Sequence, residues 1–489
     1  MPRRESEAAR IERGLARGDY QEVLKAAADL LGKAPSSFLG RKARAAARLA
    51  TGDFIGAEQD IRIALSASPS DPQARMTRAA LDARLGLTDA ALEAYRDLAI
   101  RGGREALEAQ MGVLITLHGA GRNEEFLREV REDGPWRSDP RAALMHARAA
   151  AIEDTDRGIE ALRAVFESAW PAMVRRWAGF EAVGLLDRTR RFREAFDLAT
   201  RVHAATTGMV DLDPWILPAR MQLAHFEREA PWYEPRAPRV DGVAFLVSMP
   251  RSGTTLLEQM LDRHPRIAGI GEFDGLDHVC RTLWDSGQWP WPSRPRDVPD
   301  AVFSGLQERY LDGARRIAKP GASWTFDKSL RGWRALPEIA TVFPGAACID
   351  IQRDPRDMAV SIHLSYFNPH AYEWTSDLAA VRAVIEMQRR VVTRGLEVLA
   401  LPHVRIAYED LVEDPGEFAG RCLKLMGLPP DPSVSSPEGN AKAAFTLSQA
   451  QVRRPINRGS IGRWKNYEWA FDGSWDGLVA EHEGRRERR

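Results

Sequence analysis

Val243–Thr255, VAFLVSMPRSGTT, constrains the fold more than any other stretch of this chain. A β-branched apolar run stops at Pro250-Arg251 and passes through Gly253 into a helical pattern, Leu256-Leu257-Glu258-Gln259-Met260-Leu261. The first run reads as a buried strand and the second as a helix, so the chain makes strand, loop and helix in succession. The loop would turn successive backbone N–H groups, the hydroxyls of Thr254 and Thr255 and the positive end of the helix toward one point, which suits a phosphate-like anion. Arg251 precedes the glycine and no lysine follows it, so the G-x-x-x-x-G-K-[ST] spacing of a Walker loop is missing. That disfavours an ordinary nucleotide triphosphatase. A tight β–α turn without chemistry is the other reading of these residues alone.

Around this unit the second half of the chain alternates. Apolar runs at Val243–Val247, Ala346–Ile351 and His403–Tyr408 are interleaved with helical patterns at Leu256–Leu261, Asp357–Leu364 and Val381–Leu399. This order predicts a doubly wound α/β fold with a parallel sheet, and a ligand site beyond the carboxyl ends of the strands. The first half repeats instead. Gly18-Asp19-Tyr20, Gly52-Asp53-Phe54 and Gly86-Leu87-Thr88 recur every 34 residues, followed at matching offsets by Val23, Ala57 and Ala91 and then by Pro35, Pro69 and Gly103. The period, the small residues and the closing prolines resemble tetratricopeptide repeats, with degenerate helix pairs continuing to about residue 226. A generic helical bundle is the alternative. The resemblance implies a solenoid over residues 1–230 whose concave face binds peptides or proteins, or else serves as a homodimer interface. Three prolines in Pro231–Pro238 predict a stiff linker at 231–240, and residues 241–489 form the second domain.

Composition narrows the partners. Lys+Arg and Asp+Glu are equal at 69 each, which gives no argument for nucleic acid or an acidic membrane. Any anion site must be local. Cys280, Cys348 and Cys422 stand far apart in apolar settings, so inert buried thiols are expected rather than a metal or disulfide framework, and no metal is implied. The charged start, MPRRESEAARIERG, has no signal-peptide core, and no run reaches membrane-span length. A cytoplasmic protein is the expectation.

A second strand-to-loop transition lies about a hundred residues after the first, in Cys348-Ile349-Asp350-Ile351-Gln352-Arg353-Asp354-Pro355-Arg356-Asp357 with Ser361 beyond it. Arg353 offers a planar donor fork for a terminal phosphate, Asp357 is placed to cap the next helix, and Ser361 adds a hydroxyl. The two loops together resemble the sulfotransferases that use 3′-phosphoadenosine-5′-phosphosulfate (PAPS), in the version found in tyrosylprotein sulfotransferases. The resemblance implies that Arg251, Ser252, Gly253, Thr254 and Thr255 hold the 5′-phosphosulfate, and that Arg353 and Ser361 hold the 3′-phosphate. It spans about residues 240–470. The animal tyrosylprotein enzymes are membrane-anchored, a feature this chain is not expected to share.

Three further segments carry it. Ile267-Ala268-Gly269-Ile270-Gly271-Glu272 ends in a glutamate that matches the family's proposed base, with Asp274 as a weaker rival. Where the tyrosylprotein enzymes have a second glutamate this chain has Phe273, which puts the acceptor contacts in doubt. Ser323–Lys328 ends an apolar run in a lysine that matches the residue stabilising the leaving oxygen. The segment Ser448–Lys465 resembles the family's C-terminal loop, which implies that Ser448 assists Lys328 while Arg454 and Arg463 cover the nucleotide phosphates. Tyr408 matches a position near the nucleotide or is a strand-end core residue. The expected activity is sulfuryl transfer from PAPS to a peptide or protein tyrosine, with a carbohydrate or small-molecule hydroxyl as the alternative acceptor and an inactive nucleotide-binding scaffold as the second alternative.

Overall fold

A computed structural model describes residues 6–487 apart from 52, 104, 230–233, 286–297, 370 and 437–455. It divides into two compact units, Met1–Val174 and Arg175–Arg489.

The first unit is helical, and successive helices pack in pairs: Glu7–Arg17 on Tyr20–Lys33, Phe38–Thr51 on Phe54–Ala67, and Pro72–Arg84 on Thr88–Arg101. The repeating turn explains the pairing. Gly18 and Gly86 sit at φ 68° and 76°, where a side chain would be strained. Asp19 and Asp53 then cap the second helix of their pairs, accepting from the amides of Glu22 at 3.1 Å and Gly56 at 2.7 Å. Inside the pairs, small buried residues, Ala26, Ala27, Ala43, Ala47, Ala57 and Ala64, stand among larger ones such as Val23 and Ile61 and let helix backbones approach closely. Further pairs follow at Ala106–Gly119 with Asn123–Arg131 and at Ala142–Glu153 with Thr155–Glu167. There a Cβ on Gly158 would lie 2.2 Å from the Ala151 Cα.

The border between units falls inside the helix Ala172–Arg188, well before the expected linker. The next two helices, Phe192–Thr206 and Asp213–Phe226, belong to the second unit, and Trp215, Ile216 and Phe226 join its main core. Of the expected linker, residues 231–233 lie outside the described residues. Arg236 and Val240 dock by backbone bonds to Thr341 and Pro344. The prolines mark an irregular path, and packing sets the boundary.

The second unit is built on five parallel strands: β1 (Val243–Leu246), β2 (Ile267–Gly271), β3 (Trp324–Asp327), β4 (Ala347–Gln352) and β5 (His403–Ala407), in the order β2-β3-β1-β4-β5. Alternation along β1 divides its side chains between two cores, Val243 and Phe245 on one side and Ala244 and Leu246 on the other. Both faces are therefore covered, which is why the strands read as continuous apolar runs. After β1 the chain runs to the edge at β2, returns to β3 between β2 and β1, then crosses to β4 and β5 on the other side. The switch point lies between β1 and β4, where such sheets open a crevice. Cys348 and Cys422 are buried and Cys280 partly so, all three as free thiols.

Candidate active site

The loops after β1 and β4 meet at that switch point. Arg251 adopts φ 68° and Gly253 φ 105°, and a Cβ on Gly253 would stand 2.4 Å from the Tyr408 ring, so glycine is required by both backbone and space. Ser252 closes the turn on the Met249 carbonyl at 2.8 Å, and Ser248 accepts from the Ile351 amide at 2.7 Å, fixing the loop against β4. Thr254 and Thr255 open the helix Thr254–Leu261. The Arg251 Nε donates to the Ser361 Oγ at 2.8 Å, and Arg353 donates to the Arg251 carbonyl at 3.1 Å and to the Ser460 carbonyl. The Arg353 guanidinium also lies 4.7 Å from the Tyr408 ring centre. Its Nε is buried without a hydrogen-bond partner, a cost that an incoming anion would remove. Burial and the Arg353 and Arg463 guanidiniums push the Arg251 pKa down to about 10, which still leaves it charged at neutral pH. Clustered guanidiniums, an unpartnered N–H and a glycine cradle at a helix start fit a phosphate or sulfate group.

Asp357 is not the cap expected of it. Asp354 caps the helix Pro355–His363, accepting from the Arg356 amide at 2.8 Å, because proline at the first helical position places the cap one residue before it. Asp357 is fully buried and accepts from the amides of Gly462 and Trp464, each at 2.8 Å. Arg356 stacks on Trp464 with 3.5 Å to the ring centre. These contacts tie the segment after residue 457 to the Arg353 loop. Arg463, on that segment, pairs with Asp187 at 2.7 Å. Ser448 and Arg454 lie outside the described residues.

A second charged group forms where β2 and β3 end. Gly271 pairs with Asp327 in the sheet register, which brings Glu272 and Lys328 together. Their side chains meet at 3.0 Å, with Lys328 1% exposed and Glu272 45%. Burial alone would lower the Lys328 pKa, but the Glu272 and Glu258 carboxylates outweigh it and raise it, so the ammonium persists. Phe273 turns inward onto Tyr310, with ring centres 5.3 Å apart. Beside Lys328, burial pushes the Asp327 carboxyl up to about 7 while Tyr310 donates to it at 2.7 Å.

Residues 244–432 match the model of the sulfotransferase family. An uncharacterized protein of Aquifex aeolicus is 24% identical over 390 residues, 76% of this chain and 50% of the relative. Protein-tyrosine sulfotransferase 1 of Danio rerio is 27% identical over 45% of this chain and 64% of its own length. Nodulation protein NoeE of Sinorhizobium fredii is 27% identical over 46% of this chain and 60% of its own. The chain thus spans between 50% and 64% of the length of these relatives.

Several residues around the two loops left little signal in the sequence. Glu258 is buried, accepts from the Gly271 amide at 2.8 Å and approaches Lys328 to 4.0 Å. Its signal was a lone charge within the apolar stripe of the first helix. Glu409 accepts from the Asp354 amide at 2.9 Å and meets His482 at 3.1 Å, while Arg389 donates to the Arg353 carbonyl at 3.0 Å. These long-range supports leave no local pattern. Among the described residues no helix is long and apolar enough to cross a membrane.

Proposed function

We propose that this protein is a PAPS-dependent sulfotransferase. The observation that carries the reading is the Arg251, Ser361 and Arg353 junction, where the two anion loops are bonded to each other at 2.8 and 3.1 Å. In this reading Arg251, Ser252, Gly253, Thr254 and Thr255 bind the 5′-phosphosulfate. Arg353 and Ser361 bind the 3′-phosphate, with Tyr408 beneath Arg353 and Arg463 and Arg454 over the phosphates. The acceptor oxygen attacks sulfur as the bond from sulfur to the bridging oxygen breaks. Glu272 takes the acceptor proton, and Lys328 and Ser448 stabilise charge on the leaving oxygen. No metal is required. The persistent Lys328 ammonium and the half-exposed Glu272 carboxylate suit those two tasks, one fixed charge and one group open to an acceptor.

For the acceptor we favour a peptide or protein tyrosine, on the likeness to enzymes named for protein tyrosine. The helical repeats would then recruit that chain, and Phe273, which supplies no second carboxylate, is the observation that favours the alternative, a carbohydrate or small-molecule hydroxyl. A cytoplasmic location accompanies this reading. The test is transfer of label from PAPS to a tyrosine peptide, a saccharide and a simple phenol in parallel. Wild-type protein should label one of them, and Glu272→Gln should lower turnover by about 10²–10⁴-fold with nucleotide affinity retained. Binding of nucleotide without transfer to any acceptor class in a cell extract would instead mark a scaffold.

A further inference from the structure

The geometry points to Asp187 as a positioning residue that holds Arg463 in the nucleotide site, which makes the helices from Arg175 to Thr206 part of the catalytic body. The inference rests on the proposed role of Arg463 at the nucleotide phosphates and goes beyond it by naming what sets that residue in place.

Asp187 stands near the end of the helix Ala172–Arg188. Its carboxylate pairs with Arg463 at 2.7 Å and accepts from the Tyr467 hydroxyl at 2.5 Å. Tyr467 is fully buried, 5.4 Å from the Phe192 ring centre, so the second donor is locked by packing. The segment bearing Arg463 has two other anchors, Asp357 on the amides of Gly462 and Trp464 and Arg353 on the Ser460 carbonyl. Those two fix its backbone. Of these three anchors Asp187 is the one on the Arg463 side chain, with the Tyr467 hydroxyl beside it, and a long side chain left unrestrained loses much of its binding strength to rotamer entropy.

The same helices also brace the helix Pro355–His363, which carries Ser361, and the turn after it. His203 bonds the His363 carbonyl at 3.0 Å, His363 meets the Thr200 hydroxyl at 3.1 Å, and buried Arg176 donates to the Phe367 carbonyl at 3.2 Å. His363 is two residues past Ser361, the partner of Arg251. Asp187 therefore belongs to a frame that also fixes the proposed 3′-phosphate loop.

The test is a double-mutant cycle on the full chain, read as the dissociation constant of adenosine 3′,5′-bisphosphate. Asp187→Ala is expected to weaken binding about tenfold and to raise KM for PAPS with saturating kcat within about twofold, because Asp187 touches no reacting atom. Asp187→Glu should recover most of the affinity. In an Arg463→Gln background, Asp187→Ala should cause no further loss. Unchanged or tighter binding by folded Asp187→Ala, or an equal loss in both backgrounds, overturns the inference. If Asp187→Ala does not fold, Asp187→Asn, which keeps the shape and removes the charge paired with Arg463, takes its place: weaker binding that disappears in the Arg463→Gln background supports the inference, and unchanged binding or an equal loss in both overturns it. Failure of the wild type to bind the bisphosphate, or of Arg463→Gln to weaken it, would instead overturn the reading of Arg463.

Discussion

Each unit gathers three arginines, and the two gatherings are built in opposite ways. In the first unit Arg41, Arg44 and Arg48 converge on Asp60, with contacts of 2.6 to 2.8 Å. The carboxylate is wholly buried, and although burial alone would raise its pKa, the guanidiniums hold it below the usual range. The counter-charge is internal, and the cluster locks one helix pair. In the second unit Arg251 and Arg353 bond a hydroxyl and two carbonyls, and Arg463 lies near enough to lower the Arg251 pKa. Two carboxylates touch this cluster: Asp357 is 3.7 Å from Arg353 and also takes two amides, while Asp187 pairs with Arg463. That cluster keeps positive charge and, on Arg353, a buried N–H without a hydrogen-bond partner. The residue type is the same, but one cluster is closed by the fold and the other is left for a ligand to close.

Truncation should separate the two most sharply. Removing residues 1–170 discards the Asp60 cluster and keeps Arg176, Asp187, Thr200 and His203, so binding of adenosine 3′,5′-bisphosphate should survive. Removing 1–230 strips all four, and binding should be lost, as titration calorimetry would report. Equal binding by both fragments would deny the helices 175–226 their place in the second unit. A point substitution is the next largest step. Asp60→Ala leaves three guanidiniums around an emptied site and should cost about 3–5 kcal/mol in denaturant unfolding of the first unit, without altering nucleotide affinity. Arg353→Ala should do the reverse. The bisphosphate at a hundredfold excess over its dissociation constant should stabilise the wild type by about 2.7 kcal/mol, with ATP far weaker, and most of that gain should vanish in the variant. Stabilisation of Arg353→Ala equal to that of the wild type would remove Arg353 from the site.

What was legible follows from distance along the chain. The Arg251 loop, the Arg353 and Ser361 pair and the Glu272 and Lys328 ends are each set by a strand delivering residues into the turn that follows, so a short window carries them. The sheet brings those windows together by register, as Gly271 opposite Asp327 does for the last two. Asp187 and Arg463 lie 276 residues apart and owe their pairing to tertiary packing, which leaves no periodic mark. The border at 174 was hidden for the same reason: Trp215 and Phe226 read as one more amphipathic helix until the core they enter is seen. Asp357 was misread because capping is a local rule, and a buried carboxylate on two distant amides obeys a non-local one.

Acid sharpens the comparison with the smallest expected effect. Burial holds His203 down to about 3 and His363 down to about 4, so both are neutral in the folded second unit. Their folded pKa values lie below the unfolded value of about 6.5, so the unfolded chain binds more protons and stability falls as pH drops from about 6.5 toward 4. Asp327 opposes this, since its raised value of about 7 means that the folded state takes up a proton across the same range. For these three groups, two protons against one leave a slope of about 1.4 kcal/mol per pH unit; His264, also held down by burial, adds to the fall, and Asp357, pushed up by burial, opposes it. Asp327→Asn should steepen the slope by removing an opposing proton. In the first unit the depressed Asp60 value confines that carboxylate's loss to pH below the ordinary carboxylate pKa of about 4, while burial and Arg137 hold His146 down, one lowered histidine against the second unit's buried pair, His203 and His363. Denaturant midpoints taken from pH 7 to 4 should therefore fall less for the first unit than for the second. If both midpoints move together, or if Asp327→Asn flattens the slope, then the histidines are not the groups that carry it, and the contrast between a unit closed on its own charges and one held open would have to rest on the arginines alone.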